Sequence, residues 1–517
     1  MTVPRGLAST YTGCVAANTQ VRLSLALSVC ACCLVAPLSG AQADPEDPLF
    51  RAVDLDIGEN REVRFSNGTA ASVRLIARDE VRDNVRQAVR SARVRVEVNG
   101  RETMLNCGNY RLPLTVGGVQ IDCPVTKGYL DNARTNPWGL DKDARLRLWP
   151  AASPLLRPGT YVYPVQQRWF ASDTQMSNEP SFVDGSEEPA RKRVYYHYGL
   201  DIGGVEGLTP VISATGGLVV VRGNDVLPAY KDSPYIEINY DGVIVLDDRG
   251  WFHWYFHLAR IDPGVTLGER IRMGQNIGVI GKEGHAGCWS HLHYEIRSLQ
   301  PSGKPGIQEG YAFLWEAYQR QYSPDLVAVA RPHSLAWAGE EVVLDGGSSW
   351  SRSGKIERYE WTFTDGSRAE GSQVKRVYAK PGTYSEILKI TDAAGHVAYD
   401  FAVVQIVGKP ENGRADRLPP TIHAAYGPAL DVRPGQSLTF AVRTCRTTQG
   451  QETWRFGDGS APVVVKSDGC AEPASPKGYA FTRHAYKNPG DYIVRVERAN
   501  ERGERAIGHL HVRVRGQ

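Results

Sequence analysis

Two short segments carry most of the chemistry this chain can offer: His197-Tyr-Gly-Leu-Asp201 and His291-Leu-His293-Tyr-Glu295. Imidazole nitrogens and carboxylate oxygens suit Zn²⁺, and three of them around a tetrahedral ion leave a fourth position for water, the catalytic rather than the structural pattern. Side chains at even spacing along an extended strand point to one face. On that reading His197 and Asp201 converge on one point, His291 and His293 on another, and two such strands side by side enclose one ion. The set offers four ligands, one more than a catalytic site needs, so one histidine of the HxH pair is expected to stay unligated and do acid/base work. A bound zinc ion lowers the pKa of water to about 7, but something must carry the proton away. The chain has no HExxH helix to supply a glutamate base, so histidine is the available substitute. Neither a GxSxG elbow nor a Cys-His pairing supports serine or cysteine hydrolysis.

Further motifs stand in order around these segments: Thr209-Pro210-Val211 through Ala214 and Gly217, then Trp254-Tyr-Phe-His257-Leu258, then Gly268 with Gly274-Gln275-Asn-Ile-Gly278. Together with HYGLDIG from His197 and the run His291 to Glu295, they resemble the M23 peptidases, the LytM and lysostaphin-like zinc endopeptidases. The resemblance covers residues 195 to 300 and implies a compact antiparallel β core with the site in a cleft. Carried over by motif, it implies His197, Asp201 and His293 as zinc ligands and His257 and His291 as the catalytic histidines. One of the two would orient or deprotonate the water while the other, if protonated, stabilises the oxyanion and helps the leaving amine; which does which stays open. The chain departs from the family at Gly287-Cys288-Trp289-Ser290, where a Gly-rich run is usual. Cys288 is read as a thiol packed beside the cleft, with metal binding or oxidative gating as the alternative. Glu295 continues the HxH face, either supporting a ligand or as a salt-bridged or solvated carboxylate.

Other histidines are read as structural. His253, His285, His333, His396 and His423 are left unassigned, and His509-Leu-His511 repeats the HxH spacing without an HxxxD partner nearby.

At 517 residues the chain is long enough for three or four domains, and 42% hydrophobic content is that of a globular protein with true cores. Arg5 and Arg22 precede an apolar run from Leu23 to Leu38 and an Ala41-Gln42-Ala43 site, which reads as a signal peptide too short to span a membrane comfortably. Losing those two arginines takes the formal charge from +3 to +1, which argues against nucleic acid as a partner. Export permits disulfides among the five cysteines that remain. Proximity along the chain pairs Cys107 with Cys123 and Cys445 with Cys470, leaving Cys288 over.

Residues 44–170 alternate apolar and polar positions, as in Ala92-Arg-Val-Arg-Val-Glu-Val98, and read as a β-rich domain with one helix near Asp79 to Arg93. Its role is open between packing partner, substrate wall and inhibitory prosegment. A polar linker spans 171–194 and is expected along the catalytic cleft, followed by the M23-like domain over 195–325, which ends in a short helical stretch near Tyr311 to Tyr322. An internal repeat comes next: Tyr359-Glu-Trp361-Thr-Phe-Thr-Asp365-Gly366 returns as Glu452-Thr-Trp454-Arg-Phe-Gly-Asp458-Gly459, each followed by a Pro-Gly turn into a strand. These copies resemble PKD domains, over 326–408 and 421–517 with a linker at 409–420. Trp361 and Trp454 are read as core anchors rather than sugar platforms, and the modules as spacers or attachments.

The expected fold is mainly β: an antiparallel M23-type core, an N-terminal β-rich domain and two immunoglobulin-like sandwiches. The expected function is that of an exported, monomeric zinc endopeptidase, periplasmic or extracellular, acting on peptidoglycan peptides. The alternatives are an inert M23-like binding protein of the wall and a metalloprotease acting on extracellular proteins.

Overall fold

Alternation builds most of the molecule. In the strand Val89–Val98, Val94, Val96 and Val98 are fully buried while Arg93 and Arg95 face solvent, the period-2 pattern of a sheet with one wet face. The computed structural model describes residues 49–516 except 109, 132, 134, 175, 177–193 and 411–417. The expected signal peptide, with Cys30, Cys32 and Cys33, and most of the 171–194 stretch lie outside the described residues. Strand occupies about 48% and helix 4%, so the protein is mainly β, as expected. Among the described residues no helix is long and apolar enough to cross a membrane.

Residues 49–150 form two four-stranded antiparallel sheets. The helix expected near Asp79 to Arg93 is a hairpin instead: the strand Ala70–Arg82 turns back into Val89–Val98, pairing Asp79 with Arg93 and Glu80 with Ala92. The reason is local. Asp83 accepts the Arg86 amide at 2.6 Å, and Gln87 takes a positive φ of 61°, so a turn falls where a helix would need continuity.

The central sheet runs in the order Asp225–Val226, Gly217–Arg222, Val243–Asp247, Phe252–Phe256, His291–Leu299, Pro305–Gln308, and Leu200–Gly203 also pairs with His291–Leu299. Pro210–Ile212, Asn276–Ile280 and Leu258–Ile261 form a separate three-stranded sheet in that order. One hydrophobic core joins this region to the N-terminal one, with Phe50, Trp149 and Tyr163 packed among Leu292, Tyr294 and Phe313. At the same junction Arg147, wholly buried, is held by Asp122 at 2.6 Å and the Glu309 carbonyl at 2.6 Å. The helix Tyr311–Tyr322 falls where the sequence places it, its apolar face in that core and Ser323 closing it in the left-handed region at φ 45°.

The C-terminal repeats are two sandwiches with separate cores, centred on Trp361 and Trp454, which are 1% and 0% exposed. Both tryptophans are therefore core anchors. The strands Gly382–Asp392 and Arg505–Val514 pair at Thr383 and Ala506, so one sheet runs through both modules.

The cysteine pairing differs from the expectation. Cys288 is bonded to Cys470, Cys445 is a buried free thiol beside them, and Cys107 and Cys123 face each other as free buried thiols. Nearness in sequence predicts a pair only where the chain folds locally. Here Cys470 sits in an insert of the second module that reaches the loop holding Cys288.

Candidate active site

Register brings the two motifs together. His293 lies opposite Asp201 on one side and Phe256 on the other, so the strand His291–Leu299 is the axis of the site. His197 arrives differently from the expectation, because it precedes the strand Leu200–Gly203 and converges through a turn rather than along an extended run. Gly199 makes that turn at φ 79°, and a Cβ there would stand 2.8 Å from Glu295 Cβ and 2.9 Å from the Tyr294 carbonyl oxygen. The Gly of HxGxD is thus required twice, by dihedral and by space.

Three donor atoms meet at one point. His197 Nε2 lies 3.1 Å from His293 Nδ1 and 3.1 Å from Asp201 Oδ1, and His293 Nδ1 lies 3.0 Å from Asp201 Oδ1. Ligands about 2.0 Å from a tetrahedral ion sit about 3.3 Å apart, so this triangle is close to one face of such a polyhedron. A proton on each nitrogen would leave two N–H groups confronting each other, whereas a single cation satisfies all three atoms. The donor set therefore fits a metal ion, and these three residues can hold one. The field agrees with the geometry. Burial disfavours charge on His293, yet its hydrogen bonds to Asp201 and Glu295 outweigh that and push it up to about 10; Asp201, despite its burial, is held well below the carboxylate range by His197 and His291.

The other side of His293 is also engaged. Its Nε2 lies 3.5 Å from Glu295, which is in turn bonded to Arg297 at 2.6 Å, and Arg297 stacks on Trp254. Glu295 is therefore a salt-bridged residue standing behind the His293 ring, whose Nδ1 is the nitrogen that meets Asp201.

His257 and His291 stand beside the triangle, their ring centroids 4.9 Å apart. His257 ends the strand Phe252–Phe256 in the left-handed region, φ 66°, and is turned inward by Asp241, whose carboxylate accepts both its backbone N–H at 2.8 Å and its Nδ1–H at 3.1 Å. The Glu283 carbonyl accepts from the same Nδ1 at 2.8 Å. Two acceptors on Nδ1 fix the proton there and leave Nε2 as the lone-pair atom. Burial lowers the His257 value to about 4 in spite of Asp241, so the ring is neutral at neutral pH. His291 gives its Nδ1–H to the Trp289 carbonyl at 3.0 Å, and its Nε2 lies 3.3 Å from Asp201. All five residues line one cavity of about 130 Å³, with Tyr195, Tyr198 and Trp254 in its walls and exposed His285 at its rim.

Sequence reasoning missed Asp241. It sits 16 positions before His257, in a Tyr-Asp-Gly run that carries no catalytic signature, and only the pairing of Val243–Asp247 with Phe252–Phe256 brings it near. Three further histidines are held by structural partners. His253 bridges Asp247 and Tyr294 in the core, His509 meets Ser385, and His511 meets Asp491 and Arg168.

Sheet and donor triangle define a β protein with a site fit for a metal ion. Residues 195–305 match peptidase family M23, and residues 324–406 and 424–512 each match a PKD domain, so the chain carries a peptidase domain followed by two PKD domains, the order read from the sequence. Among solved structures, Helicobacter pylori Csd3 is 14% identical over 51% of this chain and 82% of that one, at a TM-score of 0.21. The D0-D1 domain of intimin is 15% identical over 37% and 98%, at 0.21, and the Clostridium thermocellum CbhA fibronectin(III)-like modules are 12% identical over 37% and 94%, at 0.14.

Proposed function

We propose that this protein is an exported zinc metalloendopeptidase that hydrolyses amide bonds in the peptide part of peptidoglycan. The observation that carries the reading is the convergence of His197, Asp201 and His293 to within 3.1 Å, with two further imidazoles beside them, inside the segment that matches peptidase family M23. Zinc held by those three residues would polarise the scissile carbonyl and lower the pKa of a water at its open position. His257, neutral and with Nε2 free, takes the proton of the attacking water, and Asp241 holds it in that tautomer as the carboxylate does in other Asp-His pairs. The proton that His257 takes from the water passes on to the leaving amine, while His291, in the form that carries a proton on Nε2 as well as the Nδ1–H given to Trp289, steadies the developing oxyanion. A narrow cavity walled by Tyr195, Tyr198 and Trp254 suits a thin extended peptide better than a folded domain. Export rests on the N-terminal leader sequence.

The test is mass spectrometry of fragments released from purified sacculi by the protein, beside His291→Ala and a chelated sample. Release by the untreated wild type alone supports the reading and names the bond. Intact sacculi in all three samples, with one zinc bound to the wild type, would sink it.

A further inference from the structure

The loop that delivers His291 is held from outside the peptidase domain. Gly287–Ser290 leads directly into the strand His291–Leu299, and within it Cys288 sits at φ 82°, a conformation that costs a side chain with a Cβ on the order of 1 kcal/mol or more and persists only where surroundings enforce it. The enforcing groups belong to the second PKD module. Cys470 bonds to Cys288, Arg443 donates from Nη1 to the Cys288 carbonyl at 3.1 Å, and the Tyr479 hydroxyl accepts the Ser290 amide at 2.7 Å. Arg443 and Tyr479 are 0% and 5% exposed, and Arg443 is itself fixed by Asp468 at 2.6 Å. Tyr479 also shares a hydrogen bond of 2.8 Å with His423 Nδ1, and His423 Nε2 shares one of 2.8 Å with Thr174 Oγ1. The His423 ring also lies 5.7 Å from that of Trp289, whose carbonyl receives His291 Nδ1–H. The same module reaches the other catalytic strand, with Ala425, Ala441 and Tyr479 packed on Val205 just beyond Leu200–Gly203.

We propose that the second PKD module is a working part of the active site: Tyr479, Arg443 and the Cys288–Cys470 crosslink position His291 by clamping the 287–290 loop. This inference rests on His291 being an active residue of the proposed peptidase. It makes the module more than the spacer expected from its sequence. None of the three groups touches the reacting atoms; they are positioning groups, and their effect passes through one loop backbone. A crosslink alone would tether the loop without setting its orientation. Two directed hydrogen bonds to consecutive stretches of its backbone supply that.

The experiment uses the whole protein, as wild type, Tyr479→Phe and Cys470→Ser, with bound zinc measured in each. Hydrogen–deuterium exchange read by mass spectrometry needs no substrate. The expected result is exchange at least tenfold faster over 287–291 in either variant, with the strands Leu438–Cys445 and Gly490–Ala499 as protected as in the wild type. Unchanged protection over 287–291 overturns the clamp, and loosening that spreads through those strands makes Tyr479 an ordinary core residue and overturns it too. Mapping the disulfide in the unreduced wild type is a second arm: a Cys288–Cys470 peptide supports the proposal, and a Cys445–Cys470 peptide in its place overturns it. On a wall fragment that the wild type cleaves, kcat is expected to fall five- to fiftyfold in Tyr479→Phe with KM and zinc content unchanged, whereas a raised KM at constant kcat would mean that the module contacts substrate instead. If the wild type cleaves no wall fragment, the proposed substrate falls, while exchange and mapping still decide the clamp.

Discussion

Asp241 bears on the candidate site through His257 rather than by lining its cavity. Its carboxylate and the Glu283 carbonyl both accept from His257 Nδ1, so the lone pair must lie on Nε2. Asparagine at that place can present an N–H instead and favour the wrong tautomer. Asp241→Asn is therefore expected to lower kcat by about a hundredfold or more, the lower end of what general base catalysis supplies, with zinc content unchanged in elemental analysis. A variant that keeps full kcat would remove His257 from the role of base. Gly199 makes the complementary point about space. With φ 79° and a Cβ position 2.8 Å from Glu295, Gly199→Ala must shift the turn that carries His197. Weaker zinc retention against a competing chelator, by about tenfold, is expected, together with a lower thermal midpoint.

The strands earn their place by what they fix behind the site. The turn after Val243–Asp247 buries Asp247, which holds Arg249 at 2.7 Å, His253 at 2.9 Å and the Trp251 amide at 3.0 Å. Burial alone would raise this carboxyl, but His253 and Arg249 outweigh it and bring it down to about 2. The sign follows directly. A folded value below the ordinary carboxylate value means stabilisation that is fully present above about pH 4 and lost as pH falls through about 2, worth about 2 kcal/mol. Compared by thermal melting, the gap between wild type and Asp247→Asn should narrow as pH falls from 4 to 2 and stay constant above 5. A gap independent of pH across that range would show that the pair adds nothing by titration.

At the level of the whole molecule, the peptidase domain is braced on two sides. The N-terminal region shares its core, with Phe50 and Trp149 beside Phe313, while the second PKD module crosslinks to the loop before His291 across a sequence separation of 182. Truncating the PKD modules would therefore strip groups from the peptidase domain rather than remove a tail. The exchange and mapping experiments above belong to this scale, because their outcome depends on parts of the chain far apart in sequence.

The residue pattern alone determined the two segments His197 to Asp201 and His291 to Glu295 as a donor set, because that is local chemistry; His257 and the division of roles came with the resemblance to the M23 peptidases, and local periodicity determined that strands would carry most of the site. The repeat with its buried tryptophans was legible for the same reason, and so was the helix Tyr311–Tyr322. The hairpin at 79–93 was misread because its turn chemistry, Asp83 on Arg86 and a positive φ at Gln87, outweighs a window that looks helical in composition. Asp241, the Cys288–Cys470 bond and the hold of Tyr479 on Ser290 were decided only by tertiary structure. Each joins groups that sheet pairing and domain packing bring within reach, and sequence separation carries no information about which distant surfaces will meet.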